Sequence, residues 1–397
     1  MLTRLAAGAK ASATMALNSK ANALIRQGQD VAVFTVGEPD FDTPDNIKQA
    51  AHLAIQSGFT KYTDAAGMPE LREAIAAKLR EENGVEYAPE EVLVSNGGKH
   101  ALYQILVCLA EEGGEVLIPA PYWVSYVAQV RACGATPVIV DCVDSPGMKP
   151  TPDDLSACVT ERTRGLILNS PCNPTGAVLD AAEIEALVQA ALENDLWIVS
   201  DEIYEKLIYD GARHVSPASL SEKAREHVIT LNGVSKTYAM TGWRIGYAAG
   251  PREVIAAAGR LQSHMTSAPN SIAQRAAIEA LTGPQGSVDE MRQAFDERRR
   301  LLVEGLDRLP GVRCAMPSGA FYAFPNVEDL LGRAYGGTRV ENSLELCAAL
   351  LDQVRVAVVP GSAFGAEGYV RFSYAASTET IRKGLDRLAE FIATADD

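Results

Sequence analysis

The sequence lacks the short motifs that mark several common enzyme classes. Its 397 residues contain no G-x-x-x-x-G-K-[ST] phosphate loop, no G-x-G-x-x-G, no H-E-x-x-H and no G-x-S-x-G. The five histidines are scattered without the spacing of metal ligands. These absences argue against nucleotide-dependent, metalloprotease and α/β-hydrolase chemistry, and we predict no metal site.

Positive charge and paired cysteines are also scarce. The net charge is −15 and the isoelectric point is near 4.9, which disfavours nucleic acid or an anionic membrane as a partner. The seven cysteines form no C-x-x-C pair, and their odd number fits reduced thiols. Because we find neither a secretory signal nor an apolar run long enough to span a bilayer, we expect a soluble, cytoplasmic protein.

Short β-branched runs alternate with helical patterns between about residues 91 and 250. This alternation predicts an α/β fold with a mostly parallel, doubly wound central sheet. The helical patterns include KHALYQILVCLA and DAAEIEALVQAALEND. The predicted strands are EVLVS (91–95), EVLIP (115–119), RGLILN (164–169), LWIVS (196–200), VITLN (228–232) and RIGYAAG (244–250).

The pattern changes after about residue 285. A long charged helical pattern (288–309) precedes the apolar runs FYAFP (321–325), VRVAVVP (354–360) and YVRFSYA (369–375), and a terminal helix follows. These elements predict a smaller α+β domain. The predicted division is 1–45 for an N-terminal segment that joins the small domain, 46–285 for the large α/β domain and 286–397 for the small domain.

Five loops follow predicted strands of the large domain. They are NGGKH, APYW, SPCNPTG, DEIY and GVSK. Ligands of open α/β sheets bind outside the carboxyl ends of the strands. We therefore predict that the five loops converge on one crevice.

The residues of these loops suit a phosphate-sized anion next to a lysine and a carboxylate. Gly97 and Gly98 open a predicted helix whose free N–H groups and dipole favour an anion, although bare glycines are also common at helix starts. Ser235 and Arg244 add a hydroxyl donor and a fork-shaped cation. Asp201 ends a strand that we expect to be buried, where an ionised carboxylate needs a partner. That partner is either a basic side chain or a cationic ring nitrogen of a ligand.

Nine motifs, in order along nearly the whole chain, carry a resemblance to a known family. They are VGEPDFDTP, KYTDAAGMPELR, SNGGKHAL, PAPYWVSY, NSPCNPTG, SDEIYE, SKTYAMTGWRIGY, PSGAFY and YVRFSYA. The sequence resembles the class I aminotransferases, the aspartate aminotransferase family of fold-type I pyridoxal-phosphate enzymes. The resemblance implies pyridoxal 5′-phosphate (PLP) as cofactor, amino acids and 2-oxo acids as substrates, and a homodimer with shared active sites.

The resemblance implies a role for each residue around the cofactor ring. Lys236 would form the Schiff base with the cofactor aldehyde and then move a proton to and from the substrate α-carbon, unless it is an ordinary solvated lysine. Asp201 would pair with the protonated ring nitrogen, while Asn173 and Tyr204 would hydrogen-bond the phenolic oxygen. Trp123 would stack on the ring face, unless it is ordinary core packing.

Further residues are implied for the phosphate and for the substrate. Arg371 would clamp the substrate α-carboxylate as a fork, unless it pairs with a structural acid. Tyr62 resembles the residue that reaches the phosphate of the other subunit. The other implied cofactor-binding residues are Gly97, Gly98, Lys99, Ser235 and Arg244. Besides Arg371, the implied substrate-binding residues are Gly37, Trp123, Asn173, Lys99 and Thr14.

Substrate selectivity has the weakest sequence signal. One branch of the family reads the distal carboxylate of the substrate with an arginine, which the corresponding stretch LQSHMTSAPNS (261–271) lacks. The sequence resembles instead the bacterial branch that uses a lysine of the G-G-K segment and an N-terminal threonine, here Lys99 and Thr14. A lysine in a first helical turn opposes the dipole, which favours an anionic ligand for Lys99 over an ordinary surface position.

We therefore expect amino-group exchange between L-aspartate and 2-oxoglutarate. Prephenate, which is also a dicarboxylate, and aromatic or alanine-type substrates are alternatives. Two rival classes are a PLP-dependent β-lyase, which would form pyruvate and ammonia, and a non-catalytic regulatory module on the same fold. The module would be expected to lack Lys236.

Overall fold

Helices and strands alternate through most of the chain, as the sequence predicts. The computed structural model describes residues 13–396, and their side chains from residue 17 onward. None of the described helices combines the length and the apolar character needed to cross a membrane. The described helices are α1 (Ala13–Arg26), α2 (Asp45–Gln56), α3 (Pro69–Asn83), α4 (Gly98–Leu109), α5 (Ser125–Ala132), α6 (Pro152–Cys158), α7 (Ala181–Glu193), α8 (Glu222–His227), α9 (Arg252–Met265), α10 (Ser271–Thr282), α11 (Gly286–Asp307), α12 (Ser343–Ala349) and α13 (Thr378–Ile392).

A seven-stranded sheet lies at the centre of the larger part of the structure. The described strands are β1 (Ala32–Val33), β2 (Val92–Ser95), β3 (Glu115–Ala120), β4 (Thr136–Asp141), β5 (Thr163–Asn169), β6 (Trp197–Asp201), β7 (Val228–Gly233), β8 (Gly246–Ala249), β9 (Tyr322–Ala323), β10 (Arg333–Tyr335), β11 (Thr338–Val340), β12 (Val356–Ala357), β13 (Val359–Pro360) and β14 (Val370–Ser373). The central sheet has the order β2-β8-β7-β6-β5-β3-β4. Four of its strand pairs are parallel. The predicted α/β class with a mostly parallel central sheet is therefore confirmed.

Two strands of this sheet differ from the simple alternating pattern. β8 is antiparallel to both β2 and β7, because a turn rather than a crossover helix joins β7 to β8. β4 is absent from the strands predicted from sequence. It lies at the sheet edge, and Val140 is its one buried residue. A half-exposed strand that also contains Pro137 lacks the continuous apolar run of the interior strands.

Helices cover both faces of the central sheet. Leu166 and Leu168 of β5 pack in the cluster beneath α2, α3, α7 and α10, whereas Ile167 packs in the cluster beneath α4, α5 and α9. This alternation follows from the pleat of the strand, which sends successive side chains to opposite faces. Since both faces are covered, the interior strands are mostly buried and apolar, and polar residues such as Asp201 and Asn232 lie toward their carboxyl ends.

A further hydrophobic cluster joins the two ends of the chain. β1 pairs in parallel with β12, with Ala32 opposite Val356. Side chains of α1, α11 and α13 pack in the same cluster, as do Tyr322 and Phe372 of a small antiparallel sheet with the order β13-β14-β9. The domain boundaries at residues 45 and 285 stay a prediction.

Two glycines fix the start of α4 against β8. Gly97 has a φ of 88°, and a Cβ atom on it would lie 2.4 Å from Nη2 of Arg244. A Cβ atom on Gly246 would lie 2.2 Å from the backbone nitrogen of Gly98. Glycine at both positions therefore lets α4 begin in close contact with β8 and leaves room for the Arg244 guanidinium.

Candidate active site

The five loops that were predicted to converge meet at the carboxyl edge of the central sheet. With residues from the N-terminal segment and from the smaller part, they enclose a cavity of about 500 Å³, a volume within the range of small-molecule sites. The predicted site residues that line it are Gly37, Gly98, Lys99, Trp123, Asn173, Asp201, Tyr204, Ser235, Lys236, Arg244 and Arg371.

Lys236 is partly buried in this cavity. Its amino group donates a hydrogen bond to the backbone carbonyl of Gly37. Burial lowers the pKa of Lys236 to about 8. The charge of Glu38 raises this pKa, whereas Arg244 and Arg371 lower it. An appreciable fraction of the amine is therefore neutral near pH 7, as a nucleophile or proton acceptor requires.

Asp201 is buried at the end of β6, where it lines the cavity. The hydroxyl of Tyr126 donates to its Oδ2 at 2.7 Å, and the backbone N–H of Ile203 donates to its Oδ1 at 3.3 Å. Burial raises the pKa of Asp201 to about 6, although the hydrogen bond from Tyr126 lowers it. The sequence predicted a cationic partner for Asp201. In the structure Asp201 has a neutral partner, the phenol of Tyr126, which the prediction did not include.

Anion-binding groups gather where α4 begins. Gly98 starts the helix and lines the cavity, so the helix N-terminus presents N–H groups and partial positive charge there. The guanidinium of Arg244 lies over the open side of Gly97 and lines the same cavity. Ser235 is buried and contributes its hydroxyl to the lining. These groups form a cradle for a phosphate-sized anion.

Arg371 on β14 is buried, with 4% of the residue exposed. Its Nη1 donates to Oδ1 of Asn173, and its Nη2 donates to the backbone carbonyl of Thr35, both at 2.9 Å. Among the described residues, its Nε has no hydrogen-bond partner and no carboxylate forms a salt bridge with it. Burial lowers the pKa of Arg371. A buried guanidinium with an unused donor suits a carboxylate ligand.

Tyr204 lies beside Arg371 and Asn173 in the cavity lining. Its hydroxyl is hydrogen-bonded to that of Tyr322 at 2.9 Å, and the two rings meet edge to face at 5.7 Å between centroids. Burial raises the pKa of Tyr204 well above its usual value, so its hydroxyl stays protonated. It is therefore available as a neutral donor to a ligand oxygen.

Lys99 is exposed in the first turn of α4 and lines the mouth of the cavity. Its Nζ lies 4.9 Å from the centre of the Trp123 ring, and Trp123 packs edge to face against Tyr126. Partial desolvation and the charge of Arg244 lower the pKa of Lys99. Because two cations face the same space, an anionic ligand would be attracted by both.

Three predicted site residues are not placed in the lining. Tyr62 is 95% exposed and Gly97 lies behind Gly98, in contact with Arg244. Thr14 belongs to α1, but its side chain lies outside the described residues.

The cavity also contains residues that sequence reasoning missed. Tyr126 and Tyr322 both fall in quoted motifs, PAPYWVSY and PSGAFY, so their hydroxyls were visible as candidates. The amide of Asn18 reaches the site from the N-terminal segment, and no local pattern marks that placement. Val36 and Glu38 flank the predicted Gly37 in the quoted motif VGEPDFDTP. The lining residues that the sequence did not predict are Asn18, Thr35, Val36, Glu38, Val124, Ser125, Tyr126, Asn169, Ile203, Leu231, Asn232, Thr241, Tyr322 and Phe364.

Comparisons with known proteins agree on one family. The family model for aminotransferase class I and II matches residues 29–388. The chain is 47% identical over 391 residues to an aspartate aminotransferase of Geobacillus stearothermophilus, with 98% of each chain covered. It is 46% identical over 397 residues to an aspartate/prephenate aminotransferase of Thermus thermophilus, with 99% of each chain covered. A crystal structure of an aspartate aminotransferase from Rhizobium meliloti has a TM-score of 0.96 at 42% identity, with 100% of both chains covered.

Replacing Tyr126 with phenylalanine should raise the pKa of Asp201 further above about 6, because the hydrogen bond that lowers it is lost. The folded ligand-free protein binds the proton of Asp201 more tightly than the unfolded chain does, so the contribution of Asp201 to stability falls as pH rises between about 4 and 6, by roughly 3 kcal/mol in total. In Tyr126→Phe the fall should extend to higher pH. The measurement is the free energy of unfolding of the ligand-free protein against pH.

Tyr122→Phe is the matched control, since Tyr122 is a half-buried neighbour in the same loop. It should keep the wild-type pH profile. Identical profiles for Tyr126→Phe and wild type would contradict the influence of Tyr126 on Asp201.

Proposed function

The chain belongs to the aminotransferase class I and II family, and from this we propose that it transfers the amino group between L-aspartate and 2-oxoglutarate. Members of the family depend on PLP and act on small molecules. The observation that carries the proposal is the presence, in one cavity, of the partly neutral amine of Lys236 and the buried guanidinium of Arg371.

The described residues fit PLP. The cradle of Gly98, Ser235 and Arg244 suits its phosphate, and the buried carboxylate of Asp201 suits its cationic ring nitrogen. Tyr204 and Asn173, which line the same cavity, would donate to its ring oxygen, and the indole of Trp123 would offer a flat face to the ring. When bound, PLP supplies an electron sink for the bonding electrons at the substrate α-carbon.

Lys236 is the proposed attachment residue and proton carrier. Its lowered pKa means that Nζ can take a proton from the substrate α-carbon near neutral pH and return it in the second half of the exchange. The carbonyl of Gly37 accepts a hydrogen bond from Nζ and so limits the positions of the amine. Glu38 stabilises the protonated amine through its charge.

Asp201 is proposed to hold the proton of the ring nitrogen. Its carboxylate is buried, and the positive charge of a bound cationic ring would lower a pKa that burial raises to about 6. The hydrogen bond from Tyr126 acts in the same direction and holds Oδ2 in place. Both effects keep Asp201 ionised, which strengthens its attraction for the ring proton.

Arg371 is proposed to bind the α-carboxylate of the amino acid. The unused donor on Nε and the fork-shaped guanidinium suit a two-oxygen anion. Asn173 orients the fork through its hydrogen bond to Nη1, and the carbonyl of Thr35 does so through Nη2. The substrate is thereby held with its α-carbon at a fixed distance from the catalytic amine.

Lys99 is proposed to read the distal carboxylate, together with Thr14. Its exposed ammonium at the mouth of the cavity supports this role, as does the pKa that desolvation and Arg244 lower. Prephenate is the second candidate substrate, because it is also a dicarboxylate and one relative is named an aspartate/prephenate aminotransferase. A β-lyase or a non-catalytic module is not favoured, since the relatives are aminotransferases.

The proposal includes a cytoplasmic homodimer with the domain division given above. The exposed ring of Tyr62, with exposed Leu53, Ile55 and Met265, supports a contact with a second copy that brings Tyr62 to its site. The seven unpaired cysteines support a reducing compartment.

A sedimentation mass of two chains is expected, and a mass of one chain would contradict the shared site.

A panel of amino donors against 2-oxoglutarate tests the function, with prephenate as a second acceptor. Aspartate should be the best donor, and each turnover should form one amino acid and one 2-oxo acid. Release of pyruvate and ammonia would support the β-lyase instead.

Lys99→Ala should raise KM for aspartate by roughly 10-fold or more, because a charge-assisted contact contributes about 1.5–3 kcal/mol. KM for alanine and phenylalanine should change little, since neither has a distal carboxylate. Lys61→Ala, at another exposed lysine, is the control. Equal increases of KM for all donors would remove Lys99 from the specificity site.

A further inference from the structure

A buried polar cluster lies on the side of the β6 turn that faces away from the cavity. Asp201 and Tyr204 line the cavity, whereas the carboxylates of Glu202 and Glu205 are buried among other residues, with 0% and 7% of each residue exposed. The two pairs alternate along one short segment. The turn that presents two active-site residues therefore also buries two carboxylates that the proposed reaction does not use.

Glu205 connects three separate parts of the fold. Its Oε1 accepts hydrogen bonds from the ammonium of Lys78 and, at 2.8 Å, from Nδ2 of Asn232. Its Oε2 accepts a hydrogen bond from Nδ2 of Asn83 at 2.7 Å. Lys78 and Asn83 belong to α3, while Asn232 belongs to β7 and lines the cavity just before the loop of Ser235. Both oxygens of the carboxylate are thus engaged.

Glu202 is held by a second set of donors. Its Oε1 accepts from the hydroxyls of Ser200 and Ser216 at 2.9 and 2.8 Å, and its Oε2 lies 2.9 Å from Nε2 of His214. Since an ionised carboxylate is an acceptor, Nε2 carries a hydrogen. Burial lowers the pKa of His214, but the charge and hydrogen bond of Glu202, with the charge of Glu205, raise it overall. The ammonium of Lys78 thus lies against Glu205 and the imidazole of His214 against Glu202, while Nδ1 of His214 has no hydrogen-bond partner among the described residues.

The cluster does not fit a metal ion. Ligand atoms of Glu202, Glu205 and His214 lie within 4.8 Å of one another. The ammonium of Lys78, however, is already bonded to Glu205 and supplies the positive charge there. The oxygens of both carboxylates are hydrogen-bonded to protein groups. The role of the cluster therefore lies in the segments of the chain that it joins.

We propose that Glu205 is a positioning residue of the active site, whose buried carboxylate fixes the turn after β6 to the end of β7. The turn carries Asp201 and Tyr204, and the end of β7 leads to Lys236. Both oxygens of the Glu205 carboxylate have buried partners, so a shift of the turn relative to α3 or β7 would leave a charged or polar group unpaired. The distance from Asp201 and Tyr204, which would bind the ring, to the amine of Lys236 therefore depends on the carboxylate of Glu205. The inference rests on the proposed function for its kinetic part.

Glu205→Gln tests this positioning role. The side chain keeps its shape but loses its charge, and its NH₂ group faces at least one donor. We expect kcat for aspartate and 2-oxoglutarate to fall roughly 10- to 100-fold, because small misplacements of catalytic groups have effects of this size. KM should change little. The absorbance maximum of bound PLP and its midpoint pH should shift, and the dissociation constant of PLP should rise.

Glu82→Gln is the matched control. Glu82 lies at the partly exposed rim, 3.6 Å from Lys78, and pairs with Lys206, so the same chemical change removes a charge near Lys78 and Lys206 but leaves every hydrogen bond of Glu205 in place. It should leave kcat and the PLP absorbance unchanged. If Glu205→Gln matches this control in kcat and absorbance, Glu205 has no positioning role.

The double variant Lys78→Met with Glu205→Gln separates positioning from folding, in case the single variant is unstable. Removing both charges of a buried pair often restores stability. We expect the double variant to fold and bind PLP but to keep the shifted absorbance and the lowered kcat. Recovery of the wild-type absorbance and the wild-type kcat in the double variant would overturn the proposal. The absorbance needs no substrate, so it remains informative even if wild type transfers no amino group, an outcome that would refute only the proposed function.

Discussion

The burial of opposite charges in one crevice is the constraint on which the rest of this structure depends. Asp201, Lys236 and Arg371 all line the cavity, and for each of them burial moves the pKa toward the neutral form. Charged groups removed from water are stable only with partners. The protein supplies these in part, through Tyr126, Gly37 and Asn173, and leaves the remainder to a ligand. The cavity therefore suits a ligand with a cationic ring nitrogen and several anionic groups.

The same principle operates beneath the cavity with the opposite result. There every oxygen of the Glu202 and Glu205 carboxylates has a protein partner. The two environments share one turn of the chain. Alternation of side chains along that turn thus leaves donors free for a ligand above it and pairs both carboxylates with protein groups below it, and this pairing can give the site its geometry.

The sequence predicted the central sheet and eleven of the 25 residues that line the cavity, because both depend largely on local patterns. Apolar interior strands are readable as runs, and the rule that ligands bind at carboxyl ends collected Asp201, Asn173 and Lys236 from three loops. β4 escaped because an edge strand is half-exposed and has no such run. The contacts of Arg371 with Thr35 and of Glu205 with Lys78 join residues far apart in sequence. Such contacts follow from tertiary packing, which no local spacing encodes.

We propose that the amine of Lys236 carries out the chemistry of the cavity, and the variant Lys236→Ala removes this amine. Transamination of aspartate with 2-oxoglutarate should fall by more than about 100-fold, as expected for loss of a general acid–base group. PLP binding should remain measurable by equilibrium dialysis, because the phosphate cradle and Asp201 are unchanged. Lys48→Ala, at a partly exposed lysine of α2 that pairs with Asp45 outside the cavity, should behave as wild type. Substantial residual turnover in Lys236→Ala would contradict the account, because another group would then have to move the proton.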